Sequence, residues 1–314
     1  MKRTAGDSSR SSTLPTVRVS GRFIRFPSDF VFNRQKVAKA NATTVQPQGI
    51  VADGAADPHM REENERLRTQ DVLDRAILVQ CESHWIDLAT HDWGDALEAP
   101  FPDLEDMEGG DFGENLLITG ASADNLCVGD VLALVPSRSK RGKSAKGVPP
   151  PSPGGRGATL QLQIVSPRRP CGKVDQQFGM TWGGTGVRAH CAATARAGFF
   201  CKVLQPGSLT DGAELEVIER PHPNFSVSRV ASLLYGMKGA CDDPEQYTLP
   251  GPGTESGGTK GTGGGRRGVK AKWKGTEAEL RELASMPELA AHEWGDEFRA
   301  LLSEWEKGDF CAIS

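Results

Sequence analysis

The apolar residues of this chain are broken into many short alternating runs, and that pattern limits the fold more than any other feature. The runs "VRVSGRFIRF" (17–26), "DNLCVGDVLALV" (124–135), "ATLQLQIV" (158–165) and "GFFCKVLQPGSLTDGAELEVIER" (198–220) interleave apolar with polar or charged side chains. Alternation at period two is the mark of a strand with one face buried, and "QPGS" and "TDGA" read as turns between strands. In "DVLDRAILVQCESHWIDLATHDW" (71–93) the first half is apolar enough for a strand and the second supplies a helix around residues 82 to 93. The first 220 residues are thus expected to be strand and turn with one helical exception, which predicts a barrel or sandwich.

Two inserts interrupt the pattern. "PSRSKRGKSAKGVPPPSPGGRG" (136–157) has Val148 as its one apolar anchor, so it is expected to be a disordered loop joining two adjacent strands. Its Lys and Arg excess is read as a solvated charge run. "GPGTESGGTKGTGGGRRG" (251–268) is a Gly-rich linker inside a tail of different character. In "SVSRVASLLYG" Val227, Val230, Leu233 and Leu234 fall at helical spacing, with Ser226 or Ser228 as a cap and Gly236 as a stop. "TEAELRELASMPELAAHEWGDEFRALLSEWEKG" (276–308) predicts two amphipathic helices divided near Pro287. The expected organisation is a disordered tail over 1–18, a β-barrel domain over 19–222 containing the 136–157 insert, and a three-helix module over 223–310 with a 251–270 linker. The echo between "HDWGDAL" (91–97) and "HEWGDEF" (292–298) lacks the register of a repeat and is read as coincidence.

Composition narrows the function classes. A net charge of −4 and a pI near 5.9 argue against a general nucleic-acid binder. No apolar stretch approaches the roughly 20 residues of a membrane span, so a membrane partner is not expected. Seven cysteines are spread singly, without CxxC spacing, which fits a reducing, cytoplasmic compartment and argues against a structural zinc site. The Ser- and Arg-rich opening faintly suggests an organelle transit peptide, but the strand pattern from residue 17 leaves little room for one.

One cysteine stands out. In "SPRRPCGK" (166–173) Cys171 follows a proline and lies among Arg168, Arg169 and Lys173. Neighbouring cations favour the thiolate, the form that attacks or binds metal, although a free cysteine also serves as a small core hydrophobe. "FGENLLITG" (112–120) and "ARAGFFCKVLQPG" (195–207) add Gly113, Glu114, Asn115 and Arg196. Glu114 can orient an arginine or move protons, and Asn115 can read a heterocycle edge; a plain turn before a strand is the structural alternative.

Together with "DNLCVGD", these stretches resemble the MOSC domain, the molybdenum-cofactor sulfurase C-terminal domain, in the branch of small proteins that give resistance to N-hydroxylated base analogues. The resemblance covers roughly residues 50 to 235, and the tail looks like the three-helix module of that branch. It implies a mainly β fold with α additions, a MOSC-type β-barrel followed by a small C-terminal helical module. It implies that Cys171 coordinates molybdenum or carries a transferable sulfur, that Arg168 and Lys173 meet the phosphate of the molybdenum cofactor (molybdopterin), and that Gly113, Glu114, Asn115, Asp74, Arg75 and Arg196 line the same pocket. The implied activity is reduction of N-hydroxylated compounds with electrons from a flavin-containing reductase. A sulfur carrier with a Cys171 persulfide and a non-catalytic interaction protein are the alternatives. Two departures matter: Gln70 stands where the family has the histidine of a His-Gly-Gly element, and Asp175 replaces a common asparagine. His84 aligns with a histidine on the helix that follows.

Overall fold

The computed structural model describes residues 14–25, 34–36, 42–50, 73–91, 109–135, 159–170, 174, 187–235, 275–290 and 294–307. The strands are β1 (Thr16–Arg25), β2 (Arg34–Lys36), β3 (Thr43–Gln46), β4 (Gly49–Ile50), β5 (Ile77–Cys81), β6 (Leu116–Thr119), β7 (Val131–Leu134), β8 (Gln161–Pro167), β9 (Phe199–Gln205), β10 (Gly207–Leu209) and β11 (Glu214–Glu219). Seven of them run in the order β11-β7-β8-β9-β5-β6-β1, and pairing of β1 with β11 closes the ring into a barrel. Closure leaves these strands without an open edge, the usual solution for a sheet of many short strands. Around this ring only β5 and β6 pair in parallel, Val79 opposite Leu116. β2 extends the sheet beyond β1, and β10, β3 and β4 form a separate three-stranded sheet.

Alternation explains the core. Val17 and Val19 of β1, Ile77 and Val79 of β5, Leu116 and Ile118 of β6, Leu162 and Ile164 of β8, and Phe199 and Cys201 of β9 share one cluster inside the barrel. On another face, Phe23, Leu117, Trp85, Leu88, Val187 and Cys191 form a second cluster, to which α1 (Glu82–Thr90) and α2 (Val187–Thr194) contribute. Arg22, completely buried on β1, links the two sheets. It donates to Asp211 Oδ1 at 2.7 Å, to the Leu209 carbonyl at 3.0 Å and to the Thr43 hydroxyl.

A third cluster joins α3 (Val227–Tyr235), α4 (Glu277–Ser285) and α5 (Asp296–Glu306): Val230, Leu233, Leu280, Leu283, Trp294 and Phe298 are buried together. Ser226 caps α3 by accepting from the Arg229 N–H, and Thr276 and Glu279 form a reciprocal capping box on α4. No helix among the described residues is long and apolar enough to cross a membrane.

Several local expectations change. β1 begins at Thr16 and pairs with β11 from that residue, so the strand reaches into the segment expected to be a disordered tail. In "DNLCVGDVLALV" the strand is confined to Val131–Leu134, because the side chains of Asn125 and Asp130 capture the N–H groups of Ser122 and Cys127 in turns. Gly207, expected in a turn, opens β10 and pairs with Val45. α2 is a second helix in the part expected to hold one; its short, Ala-rich run follows a Gly-rich stretch and carries little periodic signal. β7 and β8 do pair as neighbours, Leu132 opposite Leu162. The 136–157 insert between them, the "FGMTWGGTG" stretch and the 251–270 linker lie outside the described residues.

Candidate functional site

The loop before β6 is built around a carboxyl group. Gly113 holds φ +77°, a left-handed conformation that suits glycine, and its N–H donates to the Gly110 carbonyl at 2.7 Å. Glu114 turns inward, fully buried, and one of its oxygens accepts the Gly110 N–H at 2.7 Å. Its other oxygen, Oε2, has no partner among the described residues. Burial pushes the Glu114 carboxyl above its usual range; backbone N–H groups and the Arg168 charge pull the other way, and the Asp111 charge adds to the rise.

Arg168 follows β8 and is itself buried, donating through Nη1 to the Phe112 carbonyl while its N–H reaches the Gly198 carbonyl at 2.9 Å. The Pro-Arg element and the Gly-Glu-Asn loop are therefore one unit. Asn115 proves to be a stitch in this unit: its Oδ1 accepts the Leu78 N–H at 3.0 Å, its own N–H donates to the Leu78 carbonyl at 2.7 Å, and its carbonyl accepts from the Phe23 N–H at 2.8 Å. The side-chain acceptor expected to read a ligand edge is engaged in joining β5 to β6. Gln80 Nε2 on β5 and Ser166 Oγ on β8 are likewise buried without a partner among the described residues. Buried polar groups are seldom left unpaired, and these three, among several such atoms in the described residues, lie on or beside β5, β6 and β8. Sequence reading missed Gln80 and Ser166, since an unpartnered atom becomes visible only once its neighbours are placed.

Cys171, Lys173, Gln70 and Asp175 lie outside the described residues. Asp74 and Arg75 precede β5; Arg75 sits over the Phe200 ring at 5.9 Å from its centroid, which places it against β9. The second arginine of "SPRRPCGK" turns the other way. Arg169 pairs with Glu297 of α5 and covers the Trp294 ring at 5.5 Å, so the helical layer grips the residue just before Pro170.

Arg196 belongs to a different grouping. Ala195 closes α2 in the left-handed region at φ 57°, with the Arg196 N–H donating to the Cys191 carbonyl at 3.1 Å. Gly198, at φ +86°, passes so close to β5 that a Cβ there would lie 2.5 Å from the Val79 carbonyl oxygen. Between these two residues Arg196 is presented to α1, where its Nη1 meets Asp87 Oδ1 at 2.7 Å. Asp87 Oδ2 lies 3.2 Å from His190 Nε2, and the His190 ring lies 4.1 Å from that of His91. Burial works against the Asp87 charge, but the hydrogen bonds from Arg196 and His190 outweigh it and hold the carboxyl below its ordinary value. Burial also lowers His190. His84, one turn before Asp87, is 2% exposed with neither ring nitrogen partnered among the described residues; burial and the Arg196 charge lower it to about 4. A cleft of about 350 Å³ opens here, lined by Ser83, His84, Asp87, Ser122, Asp124 and Arg196 among others. Sequence reading missed Asp87, Asp124 and His190; the His84–Asp87 spacing on one helix face is a signal that could have found the first, and the other two had none.

The sequence model of the MOSC domain family matches residues 64–216, which contain all of these groups except those of the helical layer. Residues 64–216 belong to the MOSC domain family. A protein named "Reductase" from Gibberella moniliformis (strain M3125 / FGSC 7600) is 32% identical over 143 residues, 46% of this chain and 20% of that protein. "Uncharacterized protein YflK" of Bacillus subtilis (strain 168) is 27% identical over 124 residues, 40% of this chain and 44% of that protein. The aligned part is thus a fifth of the first relative and less than half of the second. Among solved structures, YiiM from Geobacillus stearothermophilus aligns with a TM-score of 0.53 at 18% identity, covering 91% of this chain and 99% of its own. YiiM from Escherichia coli gives 0.51 at 15%, covering 92% and 94%. At these identities the likeness is one of fold. In this MOSC domain, Glu114 and Arg168 are buried near each other at the loop before β6, and Arg196 faces the cleft at α1.

Proposed function

We propose that this protein is a molybdenum-cofactor-dependent reductase of N-hydroxylated compounds, with Cys171 as the thiolate that holds the metal. The observation that carries the reading is that Glu114 Oε2, Gln80 Nε2 and Ser166 Oγ are buried without a partner among the described residues, on or beside β5, β6 and β8. An amide, a hydroxyl and a carboxyl fit a hydrogen-bonding heterocycle, and the Arg168 guanidinium suits an anchored phosphate. The family membership and the relative named "Reductase" support the same reading.

When bound, the cofactor would supply a metal centre that takes up and gives back two electrons. Cys171 would hold the metal, because a thiolate is a soft ligand suited to such a centre. Arg168 and Lys173 would pair with the phosphate, and Asp74 and Arg75 would border the same pocket. Glu114, with its carboxyl raised by burial, keeps a proton more readily than an exposed glutamate and can pass it to a leaving hydroxyl. Electrons would come from a flavin-containing reductase.

The test is the molybdenum and pterin content of the full chain purified from a host that makes the cofactor. Close to one molybdenum per chain is expected, with loss in Cys171→Ser together with loss of reduction of an N-hydroxylated base analogue. A native protein without molybdenum, made where a related MOSC protein acquires it, would overturn the reading.

A further inference from the structure

The cleft at the start of α1 has a feature that packing does not explain. His84 is buried to 2% exposure, borders the cleft, and has neither Nδ1 nor Nε2 partnered among the described residues. A neutral imidazole carries one donor and one acceptor, and a buried one normally uses at least one of them. The N-terminus of α1 adds to the site, since Cys81 occupies the cap position without a capping bond from its side chain to the helix.

The charges around His84 are close to balanced. Arg196 and Asp87 are joined at 2.7 Å and cancel. Asp124 contributes one carboxylate, partly offset by the helix terminus, worth about half an elementary charge. A full anion would meet Asp124, and a full cation would meet Arg196 and the helix end. What remains is a neutral ligand. Ser83 and Ser122 can donate or accept, Asp124 accepts, and His84 does one of each, so the complementary group offers an N–H beside a carbonyl.

We propose that the cleft between α1 and the Ser122–Asp124 turn binds a neutral small molecule through an amide-type edge, its carbonyl toward His84 and its N–H toward Asp124. The low proton affinity of His84 agrees with this, because the imidazole stays uncharged across the neutral range. The site is distinct in its residues from the Glu114 and Arg168 cluster. Neither Cys171 nor a cofactor enters the argument.

The experiment uses the full chain, produced without molybdenum and labelled with nitrogen-15 in its histidines, and uracil as the neutral probe. Uracil is expected to move the His84 ring resonances saturably. In calorimetry His84→Phe should weaken uracil by about tenfold or more, with a smaller loss for Asp124→Asn. Benzoate and benzamidinium should bind more weakly than uracil. The proposal is overturned if uracil leaves the His84 resonances in place, if His84→Phe binds uracil as well as the native chain, or if benzoate is the preferred ligand. Should His84→Phe fail to fold, the native resonances and the Asp124→Asn affinity decide. Because no molybdenum is present, failure here is separate from failure of the reductase reading.

Discussion

Arg168 and Arg169 are consecutive, and their guanidinium groups end in different layers of the molecule. Arg168 donates to the Phe112 carbonyl inside the MOSC domain, whereas Arg169 pairs with Glu297 and covers Trp294 in the helical layer. Alternation along extended backbone sends neighbours to opposite sides. The segment leading into Cys171 is thereby held from both, and the Ala290 N–H adds a bond to the Val165 carbonyl at 3.0 Å.

Glu297→Ala should loosen this grip. Both partners are mostly shielded, with side-chain exposures of 25% and 18%, so a loss of about 1–2 kcal/mol is expected. Urea unfolding followed by tryptophan fluorescence reads it. An unchanged midpoint would mean that the ion pair contributes nothing to holding the helices.

Gly198→Ala tests the strand crossing that presents Arg196. An alanine would be forced to φ +86° with its Cβ 2.5 Å from a backbone oxygen, so destabilisation of at least about 2 kcal/mol is expected. Retention of native stability would show that β5 and β9 can part here at little cost.

Arg22→Ala removes a buried polar link between the barrel and the β10-β3-β4 sheet and leaves Asp211, 10% exposed, without this cation. Breaking a buried pair from one side costs about 3–5 kcal/mol, and the expected result is a large fall in the urea midpoint. A fall near 1 kcal/mol or less would show that water reaches Asp211 readily.

His84 predicts a specific pH dependence. Its folded value near 4 lies below the ordinary 6.5, so between these values the unfolded chain takes up a proton that the folded chain refuses. Its contribution is complete above pH 6.5 and is lost as the pH falls toward 4, by about 3 kcal/mol in all. Comparing urea stabilities of the native chain and His84→Phe across that range isolates the effect from Asp87 and Glu279, which also weaken in acid. A constant difference between the two proteins would contradict it.

The amino-acid pattern alone was enough for the local elements whose cause is local. Alternation located β1 and β9, the pairing of β7 with β8 followed from two strands around an insert, and Ser226, Val227, Val230 and Leu233 marked α3. The Gly-Glu-Asn and Pro-Arg elements were legible as motifs for the same reason: their residue types are adjacent in the chain. Tertiary structure decided everything that rests on partners far apart in sequence. It closed β1 onto β11, made β5 and β6 parallel, engaged the Asn115 Oδ1 in joining β5 to β6, and brought Arg196 to Asp87 beside a His84 unpartnered among the described residues. Such outcomes depend on register and on which polar atoms find each other after collapse, and a one-dimensional pattern carries the period of a strand but not the identity of its neighbour.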